Sequence, residues 1–192
     1  MKRCTAILIV YLFALRCGWC QDLQRRTFFG LDLIRKGSAM VVQHVESGST
    51  AADAGIVPGD LLLRIGQIAI SDSDQVGVAA RRYRAGTQIL FTIEQNGIEL
   101  EKTSVGIGLP YETSPTADVL YRSVAVKGAL HRVIVTKPKS NGRHPAILLI
   151  AGLGCYSLDG EREDGDGYGR ILYGLTRTGY VTMRVEKSGA QA

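Results

Sequence analysis

The chain has 192 residues, of which 45% are hydrophobic and 21% are charged, and its formal net charge is +5. This length accommodates one or two domains, and this composition excludes wholesale disorder and a multi-span membrane protein. The first twenty residues hold three basic side chains and no acidic one, so the rest of the chain carries +5 less 3, or +2, and a nucleic-acid partner is not indicated.

Those first twenty residues have the pattern of a cleaved secretory signal. Two basic residues precede the ten-residue apolar run Ala6–Leu15, and Gly18 and Cys20 are the small residues that a signal peptidase tests. We therefore expect a signal peptide over residues 1–20 and an exported protein, periplasmic or extracellular, that begins at Gln21. No stable membrane span is expected after cleavage, because a spanning helix needs about 20 apolar residues. A lipoprotein acylated at Cys17 or Cys20 is the alternative.

Residues 21–108 are predicted to form a small β-rich domain with two helices. Apolar runs predict strands at Met40–Val45, Leu61–Ile65, Gln88–Gln95 and Glu99–Val105, the last two joined by a hairpin turn at Asn96-Gly97. Apolar residues spaced three and four apart predict a helix over Ser73–Tyr83, with its arginines mostly on the solvated side.

The segment Ser47–Asp60, with the sequence SGSTAADAGIVPGD, is the most informative of this block. Ser49 or Thr50 can cap a short alanine-rich helix, and Gly55 ends that helix where a left-handed residue is needed. Pro58-Gly59-Asp60 forms a second turn into the next strand.

With its flanks, this segment resembles the PDZ domain of exported bacterial serine proteases, and the resemblance covers Arg25 to Gly108. It implies a partly open β-barrel or sandwich that binds a peptide or protein C-terminus as an added strand. Phe28-Phe29-Gly30-Leu31 fits the family's carboxylate-binding loop, and the alternative is that its apolar residues are simple core residues. The peptide-binding residues implied by the resemblance are Phe29, Gly30, Leu31, Leu33, Val76 and Ala80.

A linker at 109–117 and a second block at 118–192 follow. Alternating runs predict a β-hairpin from Val119–Val126 and Leu130–Val135. The run Ala146–Ile150 (AILLI) predicts a strand buried on both faces. A helix over Tyr168–Thr178 and a strand over Tyr180–Val185 complete a βαβ unit.

The second block resembles the N-terminal part of the α/β-hydrolase fold, so the chain as a whole is expected to be α/β plus mainly β. The resemblance implies that Gly152, Leu153 and Gly154 form an oxyanion-hole loop, with the Leu153 N–H as donor. A phosphate-binding glycine loop is the alternative, although the dinucleotide and P-loop signatures are missing. No cofactor or metal is expected.

The catalytic set of that family is incomplete in this sequence. There is no Gly-x-Ser-x-Gly, and Ser188, which would follow the last strand, has no histidine after it. We therefore expect a truncated hydrolase that binds peptide or protein without catalysis by this chain alone. The alternatives are a purely peptide-binding module with a sheet appendage, and an enzyme active only in a longer form.

The acidic loop at 159–166 and Cys155 are not interpreted as functional sites. The acidic loop at 159–166 lacks EF-hand spacing and is interpreted as solvated. Cys155 beside the glycine loop has no histidine placed near it by the order of the chain, and is interpreted as a small buried filler. Residues 21–108 are expected to fold independently, whereas 118–192 are expected to be poorly stable alone because an apolar strand edge would be exposed.

Overall fold

The computed structural model describes residues 23–150, 152, 157–161, 163–165 and 167–186. Within these residues the chain is mostly β, with two sheets and few helices. The predicted signal peptide lies outside the described residues, as do Leu153, Gly154, Cys155 and Ser188. Across the described ranges, no helix has both the length and the apolar character needed to span a bilayer.

The first sheet is antiparallel throughout and has the order β1-β2-β3-β5-β6, with β4 paired to β3. Its elements are β1 (Leu31–Lys36), β2 (Ala39–Val45), α1 (Thr50–Asp53), β3 (Leu61–Ile65), β4 (Ile68–Ala69), α2 (Asp74–Arg82), β5 (Gln88–Gln95) and β6 (Ile98–Val105). The predicted strands and helices therefore form close to their expected limits. A β-rich unit of this kind is compatible with a small PDZ-like domain.

The core of this first unit comes from alternate residues of its strands together with α1 and α2. The side chains that are almost fully buried include Phe29, Val42, Ala51, Leu62, Ile65, Ala79, Ile89, Phe91 and Ile93. Because successive strand side chains point to opposite faces, this alternation places one face of the sheet against the helices.

Local sequence explains where α1 begins and how β5 turns into β6. Ser49, not Thr50, is the N-cap of α1, and its hydroxyl accepts a hydrogen bond from the Ala52 N–H at 3.2 Å. Asn96 and Gly97 both have positive φ, as the predicted two-residue hairpin between β5 and β6 requires.

The second sheet has the order β7-β8-β10-β9. Its elements are β7 (Ala117–Val126), β8 (Ala129–Pro138), β9 (Ala146–Leu149), α3 (Tyr168–Arg177) and β10 (Val181–Val185). The hairpin β7/β8 is antiparallel, whereas β10 pairs antiparallel with β8 and parallel with β9. The predicted hairpin and the predicted strand–helix–strand connection are both present.

The expectation that AILLI is buried on both faces was wrong. β9 lies at an edge of the described sheet, Leu148 is 52% exposed and Ile150 just after it is 82% exposed. The physical reason is that α3 packs mainly on β7, β8 and β10, so no described element covers the face of β9 that carries Leu148. A run of apolar residues predicts a strand, but it does not predict which elements cover the faces of that strand.

Candidate functional site

A groove of about 300 Å³ runs between β1 and α2 in the first unit. Five of the six predicted peptide-binding residues line it: Phe29, Gly30, Leu31, Val76 and Ala80. Leu33 lies further along β1 and packs against the core instead of lining the groove. The groove therefore has a strand as one wall, a helix as the other and the Phe28–Leu31 loop at one end.

The conformation of this loop depends on Gly30. Its φ is +64°, in the left-handed region, and a Cβ placed on it would overlap the Cβ and Oγ of Ser49. The Gly30 carbonyl accepts a hydrogen bond from the Glu46 N–H at 2.8 Å. Only glycine satisfies both the backbone angle and the close approach to α1.

The loop's carbonyl groups are used in the fold, whereas two of its amides are not. The Phe28 and Phe29 carbonyls accept from the Thr50 and Ala51 N–H groups at 3.0 and 3.2 Å. No residue in the described ranges accepts a hydrogen bond from the N–H of Phe29 or Gly30. Adjacent amides of this kind form a concavity that suits an anion such as a carboxylate.

Phe29 contributes to the groove through its backbone. Its side chain is 3% exposed, and its ring packs edge-to-face on Phe91 at 5.8 Å and on Tyr83 at 6.5 Å between centroids. The interpretation of Phe29 as a core residue and its interpretation as a loop residue are therefore both consistent with the structure. Its aromatic anchor holds the loop on the first core.

The floor of the groove is small and apolar. Val76, Gly77 and Ala80 lie along α2, and the fully buried Ala79 lies on the adjoining side of that helix, which packs into the core. Such a floor accepts an apolar side chain and excludes a charged one, because an unpaired charge there would lose its hydration.

The rim of the groove carries charge that sequence reasoning did not identify. Asp32 and His44 face each other across β1 and β2, and Glu46 follows at the end of β2. All three are exposed. At the loop end the groove is lined by Arg26. The groove is thus acidic along one side and basic beside the loop.

Arg25 and Arg26 join the first unit to the second. Arg25 donates to Asp159 Oδ2 at 2.5 Å and lies over the rings of Tyr111 and Tyr121 at 4.5 and 4.9 Å. Arg26 donates to the Ser157 hydroxyl at 2.5 Å. The arginine pair is visible in the sequence, but its partners Asp159 and Ser157 lie more than a hundred residues away, and no local pattern identifies them.

Asp159 corrects the interpretation of the acidic loop as solvated. Its side chain is 1% exposed and forms ion pairs with Arg25 at 2.5 Å and Arg132 at 3.0 Å. It also accepts a hydrogen bond from the Tyr121 hydroxyl at 2.9 Å. Burial, and then the charges of Asp159 and Glu112, raise the pKa of Tyr121 well above its ordinary value.

Glu112, in the segment predicted as a linker, is the hub of a buried network. Its carboxylate accepts from the N–H groups of Gly160 and Glu161, both at 2.9 Å, and from the Tyr173 hydroxyl at 3.0 Å. It is also ion-paired with the fully buried Arg184. This segment therefore packs into the second unit. The predicted domain boundaries remain predictions.

The glycine-rich segment after β9 is described only at Gly152, which is exposed, while Leu153 and Gly154 lie outside the described residues. Just after it, Ser157 donates to Glu186 Oε2 at 2.8 Å and accepts from the Asp159 N–H at 3.0 Å. Among the described residues, no histidine contacts Ser157, and no group of three metal-ligating side chains occurs.

No protein-family model and no curated protein sequence matches this chain. Among solved structures, a variant of the HtrA-type protease AlgW with a decapeptide is similar over 45% of this chain and 30% of its own, with 23% identity and a TM-score of 0.42. The same protease with a tripeptide matches 44% and 33%, with 26% identity and a TM-score of 0.39.

An aminopeptidase N family protein from Idiomarina loihiensis matches 43% of this chain and 14% of its own, with 17% identity and a TM-score of 0.37. The chain thus spans a third or less of the length of each of these solved structures. Because the matches are partial and loose, the function of this chain has to be inferred from its own groove.

Proposed function

We propose that this protein binds the C-terminus of a peptide or protein in the groove between β1 and α2. The observation that carries the proposal is the pair of adjacent amides, Phe29 and Gly30, without an acceptor among the described residues at the end of that groove. A terminal carboxylate supplies the oxygen atoms that such amides bind.

The strand wall supports the same proposal. β1 is an edge strand of the first sheet, so its outer backbone groups are available to an added strand. An extended peptide that pairs with β1 gains main-chain hydrogen bonds, while alternate side chains enter the groove. The floor of Val76 and Ala80 then favours a medium-sized apolar residue at the peptide terminus.

A peptide-library experiment on the full chain tests this proposal. Fluorescently labelled peptides with free C-terminal carboxylates and apolar last residues are expected to bind, and their amidated counterparts to bind at least tenfold more weakly, because a charged hydrogen-bond partner contributes about 1.5–3 kcal/mol. Equal binding of the two forms would contradict it.

A matched pair of variants on α2 locates the binding. Ala80→Asp places a charge on the floor of the groove and is expected to abolish binding. Val78→Asp places the same charge on the same helix, at a residue that is 37% exposed and does not line the groove, and is expected to leave binding unchanged.

We also propose, as a second candidate function, that the second unit is of the α/β-hydrolase type. One observation favours this: β9 runs through the glycine-rich segment and α3 into a parallel neighbour, β10, beside an antiparallel hairpin. Without a histidine at Ser157, this chain alone is expected to turn over no activated ester above background. Turnover that depends on Ser157 or Ser188 would replace this expectation with an active enzyme.

We also propose that the protein is exported, because residues 1–20 have the pattern of a cleaved secretory signal. The expected result is a mature chain that starts at Gln21, measured by intact mass after expression in a bacterial host. A chain that retains residues 1–20, or that carries a lipid on Cys20, would contradict simple secretion.

A further inference from the structure

One residue in the helical wall of the groove is not the residue that helix stability favours. Gly77 lies inside α2 and lines the groove beside Val76 and Ala80. Glycine lowers the stability of a helix relative to alanine, because it loses more conformational freedom when the chain folds. Its presence in this wall therefore needs an explanation from packing or from function.

Packing within the fold does not supply that explanation. The φ of Gly77 lies outside the left-handed region, so alanine adopts the same backbone without strain. A Cβ placed on Gly77 would meet Arg81 Nη1 at 3.6 Å, which is an ordinary contact with the end of a flexible side chain. Outside the backbone of α2 and the two adjoining residues, no other atom of the described chain lies within 4 Å of that Cβ.

The open space beside Gly77 belongs to the groove. Residues spaced three and four apart lie on one face of a helix, so Gly77 and Val76 both adjoin Ala80 on that face. All three residues line the groove. A side chain at position 77 would therefore narrow the groove, and glycine keeps it wide at this point.

Gly77 lies further from the carboxylate-binding end of the groove than Ala80 does. The C-terminal end of α2 lies at the loop, because the Tyr83 ring packs edge-to-face on Phe29 with 6.5 Å between centroids. A helix rises about 1.5 Å per residue, so Gly77 and Val76 lie about 4.5 and 6 Å beyond Ala80 along the helix axis.

The spacing of side chains in an extended peptide is close to this distance. This step rests on the proposed function, in which the peptide is an added strand on β1 with its carboxylate on the loop amides. Alternate residues of a strand face the same side and lie about 6.8 Å apart. When the last side chain lies beside Ala80, the side chain of the third residue from the end therefore reaches Val76 and Gly77.

We propose that Gly77 makes room for a large apolar side chain at the third residue from the C-terminus of the bound peptide. Val76 and Ala80 give this part of the wall an apolar surface, so an apolar side chain is removed from water there without leaving a polar group unpaired. Arg81 lies close by, and its charge opposes a lysine or arginine at that place. Gly77 is thus the residue that sets the size of side chain that the groove accepts.

Peptide titration of the full chain, followed by fluorescence anisotropy, tests the proposal. Three labelled peptides share an apolar last residue and a free carboxylate, and carry phenylalanine, alanine or glutamate at the third residue from the end. The phenylalanine peptide is expected to bind about tenfold more tightly than the alanine peptide, because it buries more apolar area. In Gly77→Ala that ratio should fall below about twofold, since the added methyl group takes space that the ring needs.

The stability of the same variant gives a second readout. Gly77→Ala is expected to raise the melting temperature by about 1–4 °C, because alanine is the better helix former, while it weakens binding of the phenylalanine peptide. A purely structural role of Gly77 would instead lower the melting temperature and weaken all three peptides alike, and that result would overturn the proposal.

Gly174→Ala is the matched control. Gly174 lies inside α3, a Cβ placed there would meet Arg177 Nη2 at 3.8 Å, and the residue does not line the groove. This variant should raise the melting temperature in a similar way and leave the affinity for each peptide unchanged within about twofold.

The outcomes separate this proposal from the one on which it rests. A native chain that binds neither the phenylalanine nor the alanine peptide contradicts the proposed function. Equal binding of these two peptides, or a preference for phenylalanine that Gly77→Ala leaves intact, overturns the role of Gly77 and leaves carboxylate binding standing. Tighter binding of the glutamate peptide than of the phenylalanine peptide also overturns it, because Arg81 would then select an acidic side chain.

Discussion

At the scale of single residues, Gly30 combines two constraints that are usually separate. Its φ is positive, and a Cβ placed on it would overlap the side chain of Ser49. Gly37 also has a positive φ, of +62°, but a Cβ placed there would meet nothing within 4 Å. Alanine substitutions at Gly30 and Gly37 therefore separate the free-energy cost of the backbone angle from that of the clash with Ser49.

We predict that Gly37→Ala costs about 1 kcal/mol of unfolding free energy from backbone strain alone. Gly30→Ala should cost about 2–4 kcal/mol, because a clash in a packed region adds to the strain. Urea unfolding followed by far-UV circular dichroism measures the unfolding free energy of both variants. Equal losses in the two variants would show that Ser49 does not restrict the loop.

Tyr121 makes a second residue-scale prediction, which concerns pH. Burial raises its pKa in the folded state, so the neutral hydroxyl is favoured there. The unfolded state, with an ordinary pKa near 10, ionises first as pH rises, so unfolding free energy is lost above about pH 10. Below that pH the contribution is fully present.

The measurement is urea unfolding at about pH 9, 10 and 11. Tyr121→Phe should lower stability at neutral pH, through the lost bond to Asp159, and should flatten the alkaline decline by up to about 1.4 kcal/mol for each pH unit. Tyr180→Phe, at an exposed tyrosine, should keep the full decline. An unchanged slope in Tyr121→Phe would contradict the assignment.

At the scale of elements, the segment between the two sheets makes buried contacts that its sequence does not indicate. Leu109–Pro115 contains two prolines and reads as a connection, yet Glu112 is buried against Arg184 and Tyr173. We predict that Glu112→Ala costs about 3–5 kcal/mol, because it leaves the fully buried Arg184 uncompensated.

The double variant Glu112→Ala with Arg184→Met removes both charges and should recover part of that loss, since no lone buried charge remains. Urea unfolding of the two single variants and the double variant gives the coupling free energy. Additive losses would mean that Glu112 and Arg184 act independently.

Elements and side-chain networks differ in how far the sequence predicts them. Period-two and period-three-to-four patterns, with Gly and Asn at turns, place nearly every strand and helix, because these signals are local. The groove loop follows from Phe28–Leu31 for the same reason. The partners of Arg25, Arg26 and Glu112 do not follow, since each pairing joins segments that are far apart in the chain. The exposure of Leu148 was missed because an apolar run does not specify what covers it.

At the scale of the whole molecule, the junction between the units is polar and centred on Asp159. Its loss should leave Arg25 and Arg132 without their shared carboxylate. We predict that Asp159→Asn loosens the junction, so that limited proteolysis cuts near residues 109–117 and leaves a resistant fragment of the first unit. The second unit is expected to be degraded, in line with its exposed apolar edge.

Asp118→Asn is the matched control, because Asp118 forms an exposed ion pair with Lys137. Exposed pairs contribute about 0–1 kcal/mol, so its proteolysis pattern should match that of the native chain. Two fragments that are equally resistant in Asp159→Asn would contradict the expected instability of residues 118–192.

The central claim is that the Phe29 and Gly30 amides bind a terminal carboxylate, and NMR tests it most directly. In ¹⁵N-labelled protein, addition of a peptide with a free C-terminus should shift the amide resonances of Phe29 and Gly30 strongly downfield, whereas the amidated peptide should leave them nearly unchanged. Binding that shifts residues elsewhere, with these two amides unmoved, would contradict the account.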